Sequence, residues 1–134
     1  MSRHSIFAPI ALLIATTTLF PVLSNAQGVT CTQLLQLPLS ASDVASAEDS
    51  VGDAPAALAA NEQAKIGILN ASSICNSALA GQDLALYQQI ISLANQFADQ
   101  ATIANQLNQT TQAELFETQL SLSLEQAMNL AAGR

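Results

Sequence analysis

The chain has 134 residues, half of them hydrophobic, with three Lys or Arg against ten Asp or Glu and a formal charge of −7. So few cations exclude a nucleic-acid binder, which must neutralise several phosphates, and equally a protein held electrostatically on an anionic membrane. The single histidine and absent tryptophan narrow the chemistry further.

The chain opens with one cation, Arg3, and an apolar run from Ile6 to Leu23. Pro21 and the small-x-small site Ser24-Asn25-Ala26 follow the pattern of a cleavable export signal. Residues 1–26 are therefore predicted to be a secretory signal peptide, with a mature chain beginning at Gln27. Its removal takes away Arg3 and His4, leaving Lys65 and Arg134 against ten carboxylates, a formal charge of −8. No later stretch is long and apolar enough to span a bilayer, so the sequence predicts a secreted or periplasmic protein with no stable membrane span after cleavage.

Ala, Leu and Gln dominate what remains, while the β-branched and aromatic residues that strands favour are scarce. The expected fold is all-α, a small antiparallel three- to four-helix bundle with one disulfide. Residues 27–53 read as an irregular N-terminal segment with short helical turns: one from Cys31 to Leu37, closed by Pro38, and one near Ala41 to Ser50, opened by a weak Ser40/Asp43 capping box. Residues 54–134 read as the helical bundle. Asp53 is placed to cap its first helix, with Pro55 in the first turn.

Along that helix Ala64, Ile68, Ala71, Cys75 and Leu79 recur at spacings of 4, 3, 4 and 4, which puts Cys75 on the apolar face. In an oxidising compartment Cys31 and Cys75 are expected to pair, pinning the N-terminal segment on the core. Gly81 suits the end of the helix. A second row follows at Leu86, Ile90, Leu93, Phe97, Ala101, Ala104 and Leu107. A third comprises Ala113, Phe116, Leu120, Leu124, Ala127 and Ala131, with Thr111 and Glu114 as a capping box. Only Asn108 to Thr111 separates these two rows, without Gly or Pro, so one helix of nearly fifty residues remains an alternative to two.

Little in this inventory supports catalysis. The mature chain lacks histidine, and with it the commonest general base and the usual nucleophile and zinc arrangements. Glu114 and Glu117 have the proximity of a paired-carboxylate site but read as two solvated acids near a helix N-terminus. Glu48, Asp49 and Asp53 form the densest acidic cluster, at spacings that depart from a calcium loop. Lys65 is expected to pair with Glu62 one turn away, and Tyr87 to pack in the core or at its rim. No catalytic residue, metal ligand or cofactor is therefore expected.

One feature departs from an ordinary helical surface. Ten Asn and Gln fall between Gln88 and Gln112, and Leu93-Ala94-Asn95-Gln96 is nearly repeated as Ile103-Ala104-Asn105-Gln106. A face of neutral donors and acceptors is soluble without strong self-repulsion, which suits a protein partner or self-association. Gln89, Gln96 and Gln100 are the candidate interface residues. The expected function is that of an exported, non-catalytic helical protein acting by protein–protein interaction, the alternative being a small carrier or chaperone with an apolar groove for lipid or unfolded chains. Two sequons, at Asn70 and Asn108, are acceptors only in a eukaryotic secretory pathway.

Overall fold

The computed structural model describes residues 30–133; the signal peptide expected over 1–26 lies outside the described residues. Four helices pack antiparallel in chain order: α1 Cys31–Ser50, α2 Ala54–Ala78, α3 Gly81–Gln106 and α4 Thr110–Ala132. Each helix packs chiefly on its two neighbours, α1 lying against both α2 and α4, so α1 and α3 stand diagonally opposite.

Within the segment expected to be irregular over 27–53, Cys31–Ser50 instead form one continuous helix that runs through Pro38. Proline inside a helix loses a backbone hydrogen bond and costs roughly 3 kcal/mol, so packing must offset it. The partner is Gly67 of α2, where a Cβ would stand only 2.9 Å from Pro38 Cδ. Pro38 is thereby buried in the α1–α2 seam. The Ser40/Asp43 pair falls inside α1, whose N-terminus is closed by a Thr30/Gln33 capping box, with Thr30 Oγ1 accepting from Gln33 N at 3.1 Å.

Cys31 and Cys75 are bonded, with Cα atoms 4.7 Å apart, and tie the start of α1 to the end of α2. Bridging residues 44 apart restricts the unfolded chain by about 4 kcal/mol on the loop-entropy model. Every member of the first predicted row, from Ala64 to Leu79, is buried. Asp53 caps α2, its Oδ1 accepting from Ala56 N at 3.1 Å.

The long hydrophobic run after Gly81 forms two helices, not one. The break sits at Asn108, whose φ of 58° is left-handed and tolerable for Asn. Helix α4 starts at Thr110 behind Gln109, so the Thr111/Glu114 capping box does not form.

The buried side of α3 is also rotated from its predicted row. Ile90, Ala101 and Ala104 are inside, but Leu86, Leu93 and Leu107 face solvent, and the core side is built from Tyr87, Ile91, Ala94 and Ala98. Alanines let helix axes approach closely, and once the seam is that narrow the larger leucines no longer fit it. The third predicted row holds at Ala113, Leu120, Leu124 and Ala127, with Phe116 and Ala131 half-buried.

Candidate functional site

The bundle has two unlike ends. Around the cystine, Leu35, Leu39, Ile68, Tyr87, Ile90, Leu120 and Leu124 form a conventional apolar core. At the other end the buried apolar residues are alanines, Ala45, Ala54, Ala57, Ala60, Ala101, Ala104 and Ala113. Four polar side chains occupy the remaining centre, one from each helix: Asp49, Asn61, Asn105 and Glu117.

Their hydrogen bonds form a single chain across the bundle. Asn105 Nδ2 donates to both oxygens of Asp49, at 2.7 and 2.9 Å. Asn61 Nδ2 donates to Asn105 Oδ1 at 2.8 Å and to Glu117 Oε2 at 2.7 Å. Asn61 Oδ1 and Glu117 Oε1 are buried and accept no hydrogen bond. Burial, then the adjacent Asp49 carboxylate, pushes the Glu117 pKa up to about 9, against the opposing hydrogen bond from Asn61. Glu117 is therefore a neutral carboxylic acid at pH 7.

This overturns two readings of the acidic residues. Glu114 and Glu117 are not a solvated pair, because Glu117 points into the core while Glu114 remains half-exposed. The Glu48, Asp49 and Asp53 cluster is dispersed: Asp49 joins the buried chain, Asp53 caps α2, and Glu48 is half-buried. Among the described residues no group of three or more His, Cys, Asp or Glu is placed to hold a metal ion. Lys65 does not pair with Glu62 but reaches across to Asp99 of α3, Nζ to Oδ1 3.0 Å, an exposed ion pair worth a few tenths of a kcal/mol.

Gln89, Gln96 and Gln100 all face solvent on α3. They stand within a row that also holds exposed apolar side chains. The row Leu86, Gln89, Leu93, Gln96, Gln100, Ile103 and Leu107 advances by alternating steps of three and four, the spacing of a helix–helix seam. Its hydrophobic members are exposed at 45, 47, 54 and 61 % for Leu86, Leu93, Ile103 and Leu107.

Two grooves flank this row. The one toward α2, about 400 Å³, is lined by Ser72, Asn76, Gln88, Asn95, Gln96 and Asp99 among others, with the Tyr87 hydroxyl 3.3 Å from Ser72 Oγ at its base. Burial pushes the Tyr87 hydroxyl pKa up, and Ser72 opposes it. The groove toward α4, about 210 Å³, is lined by Gln100, Ile103, Ala104, Gln109, Gln112 and Phe116. It is smaller than the roughly 300 to 1,000 Å³ of ordinary small-molecule sites.

Among known proteins, no family model matches the chain, and neither a curated protein nor a solved structure matches it.

Proposed function

We propose that this is an exported, non-catalytic helical protein that acts by protein–protein interaction, with the outer face of α3 as its docking surface. The observation that carries the reading is the exposed row in which Gln89, Gln96 and Gln100 alternate with Leu86, Leu93, Ile103 and Leu107. Exposed leucines scattered singly need no explanation, but a continuous row at the spacing of a helix seam presents apolar area with amides that fix register. The non-catalytic part rests on position: Glu117, the carboxyl with the strongly raised pKa, is fully buried and bonded to Asn61, out of reach of a substrate. The Cys31–Cys75 bond fits an oxidising compartment, and among the described residues no helix is long and apolar enough to cross a membrane.

The test is the triple substitution Gln89→Glu, Gln96→Glu and Gln100→Glu. Exposed helix positions tolerate Glu, so circular dichroism and melting should change little, while retention of binding partners in a pull-down from the native source falls. Unchanged retention by the folded variant removes the α3 face from consideration. Intact mass of the exported form beginning at Gln27 tests the export reading.

A further inference from the structure

The order of the helices divides the bundle into two hairpins, α1–α2 and α3–α4. Each is closed by its own short turn at the alanine-rich end. Asp53 N donates to Glu48 O at 2.8 Å in the first turn, and Gln109 N to Ala104 O at 2.8 Å in the second. The first hairpin is also fastened internally, by Cys31–Cys75 and by Pro38 seated against Gly67. Only Leu79 and Ala80 join one hairpin to the other. Both are extended, Gly81 after them has a φ of 61°, and they lie at the cystine end.

The contacts between the hairpins differ from end to end. At the cystine end Leu35, Ile68, Tyr87, Ile90, Leu120 and Leu124 share one apolar cluster drawn from both hairpins. Midway, Ser42 Oγ donates to Glu117 O at 3.1 Å and lies 2.8 Å from Ser121 Oγ. Beyond that point the buried apolar residues are alanines, and every bond of the buried polar chain crosses the divide: Asp49 to Asn105, Asn61 to Asn105, and Asn61 to Glu117. Among the described residues the buried side-chain oxygens without a partner, on Asn61, Thr102 and Glu117, are all at this end. The α2–α3 seam is the least extensive between neighbouring helices, and the Lys65–Asp99 pair that bridges it is exposed and correspondingly weak.

We infer that the bundle opens as two hairpins at its alanine-rich end, with the Asp49–Asn105–Asn61–Glu117 chain as a latch released when Glu117 loses its proton, and with Leu79 and Ala80 as the hinge. While Glu117 is neutral, the latch holds one buried carboxylate, Asp49, which takes both Asn105 hydrogen bonds. Ionised, Glu117 becomes a second one beside it, with the Asn61 amide as its hydrogen-bond donor. The groups around it supply no cation: α1 presents Asp49, α2 presents Asn61 with Asn105 of α3 behind it, and Glu114 on its own helix adds a like charge. Parting the hairpins gives both carboxylates water. The apolar surface uncovered there is alanine, so little burial opposes the movement, whereas the large side chains at the other end stay together. Neither hairpin has to unfold.

The experiment measures distances between spin labels on the exported chain with its cystine intact. One pair is carried at Val51 and Leu107, exposed residues of the two turns, and a control pair at Gln36 and Asn129, exposed near the cystine end. A keto-bearing amino acid takes the labels, so that no new thiol competes with Cys31–Cys75. Between about pH 6 and about pH 9 the turn pair should gain a second, longer distance, its ratio to the short one rising roughly tenfold per pH unit. Over the same range the control pair and far-UV helicity should hold. Glu117→Gln should keep the short distance at the turns throughout.

A single short distance between the turns up to pH 9 overturns the inference. Lengthening of both pairs together does so too, because that is unfolding of the whole chain. A longer distance that grows equally in Glu117→Gln overturns Glu117 as the latch. Should that variant fail to fold, the two wild-type pairs decide between opening at one end and unfolding on their own.

Discussion

Glu117 makes this protein's stability depend on pH in the direction opposite to that of a salt-bridged carboxylate. Its pKa is about 9 in the folded chain against an ordinary 4.5. Between those values the folded state holds a proton that the unfolded chain has released. The stabilisation is therefore complete below about pH 4.5 and is lost as pH rises toward 9, at about 1.4 kcal/mol per unit. Across the window that amounts to roughly 6 kcal/mol, a large share of the 5 to 15 kcal/mol typical of a small domain. About 3 kcal/mol of it is already gone at pH 7. The decisive comparison is wild type against Glu117→Gln in urea titrations from pH 4.5 to 9. Glutamine keeps an oxygen to accept from Asn61 and cannot ionise. The variant should show a nearly flat profile over this window and exceed wild type in stability at neutral and alkaline pH. Parallel profiles for the two proteins would mean that no proton is taken up at Glu117 on folding, and the buried-acid account would fail.

Other parts of the fold give sharp expectations. Asn105→Ala removes both hydrogen bonds to the buried Asp49 carboxyl and should cost about 3 to 5 kcal/mol, measured by chemical denaturation. Gly67→Ala would place a Cβ 2.9 Å from Pro38 Cδ, and should lower stability by about 1 to 3 kcal/mol where an ordinary helical Gly→Ala change raises it. Reduction of Cys31–Cys75 should lower the melting temperature markedly, by loss of about 4 kcal/mol, while far-UV helicity survives at low temperature. A reduced protein melting with the oxidised one would show that α1 is held by its packing alone.

What the sequence displays and what it hides follow from how each residue is recruited. The row from Ala64 to Leu79 is legible because Ala64, Ile68, Ala71, Cys75 and Leu79 recur without a gap at helical spacing, whereas Ile66 and Leu69 on the same helix belong to no such row. Helix α1 is not legible, because the signal that ends a helix at Pro38 is local while its remedy, the missing side chain of Gly67, lies 29 residues away on another helix. The buried face of α3 departs from its predicted row for a related reason. Hydrophobicity favours Leu86 and Leu93 over Ala94 and Ala98, but an alanine seam selects by size. The buried polar residues did leave a trace. Asn61 falls between Ala57 and Ala64, Glu117 between Ala113 and Leu120, and Asn105 four residues after Ala101, so each continues a core row at helical spacing. A polar residue in the phase of a core row announces burial. That Asn61, Asn105, Glu117 and Asp49 meet one another depends on the register of four helices, which no single stretch specifies.

That register is the best account of why a costly arrangement sits where it does. At the cystine end, interlocking leucines, isoleucines and Tyr87 fix how the helices pack, and the covalent bond fixes α1 against α2. At the other end the buried alanines of all four helices, Ala45, Ala57, Ala101 and Ala113 among them, are too small and too alike to distinguish one sliding position from the next. A one-residue slip there would change apolar burial little, but it would break the Asp49–Asn105–Asn61–Glu117 chain and leave buried carboxyl and amide groups without partners. Unpaired buried groups cost about 1 to 3 kcal/mol each, which is enough to separate the native register from its neighbours. Replacing all four by leucine or methionine would on this reasoning give a bundle at least as stable but less uniquely packed. Amide exchange and NMR line widths at the Ala-rich end would report the lost uniqueness even where the melting temperature rose.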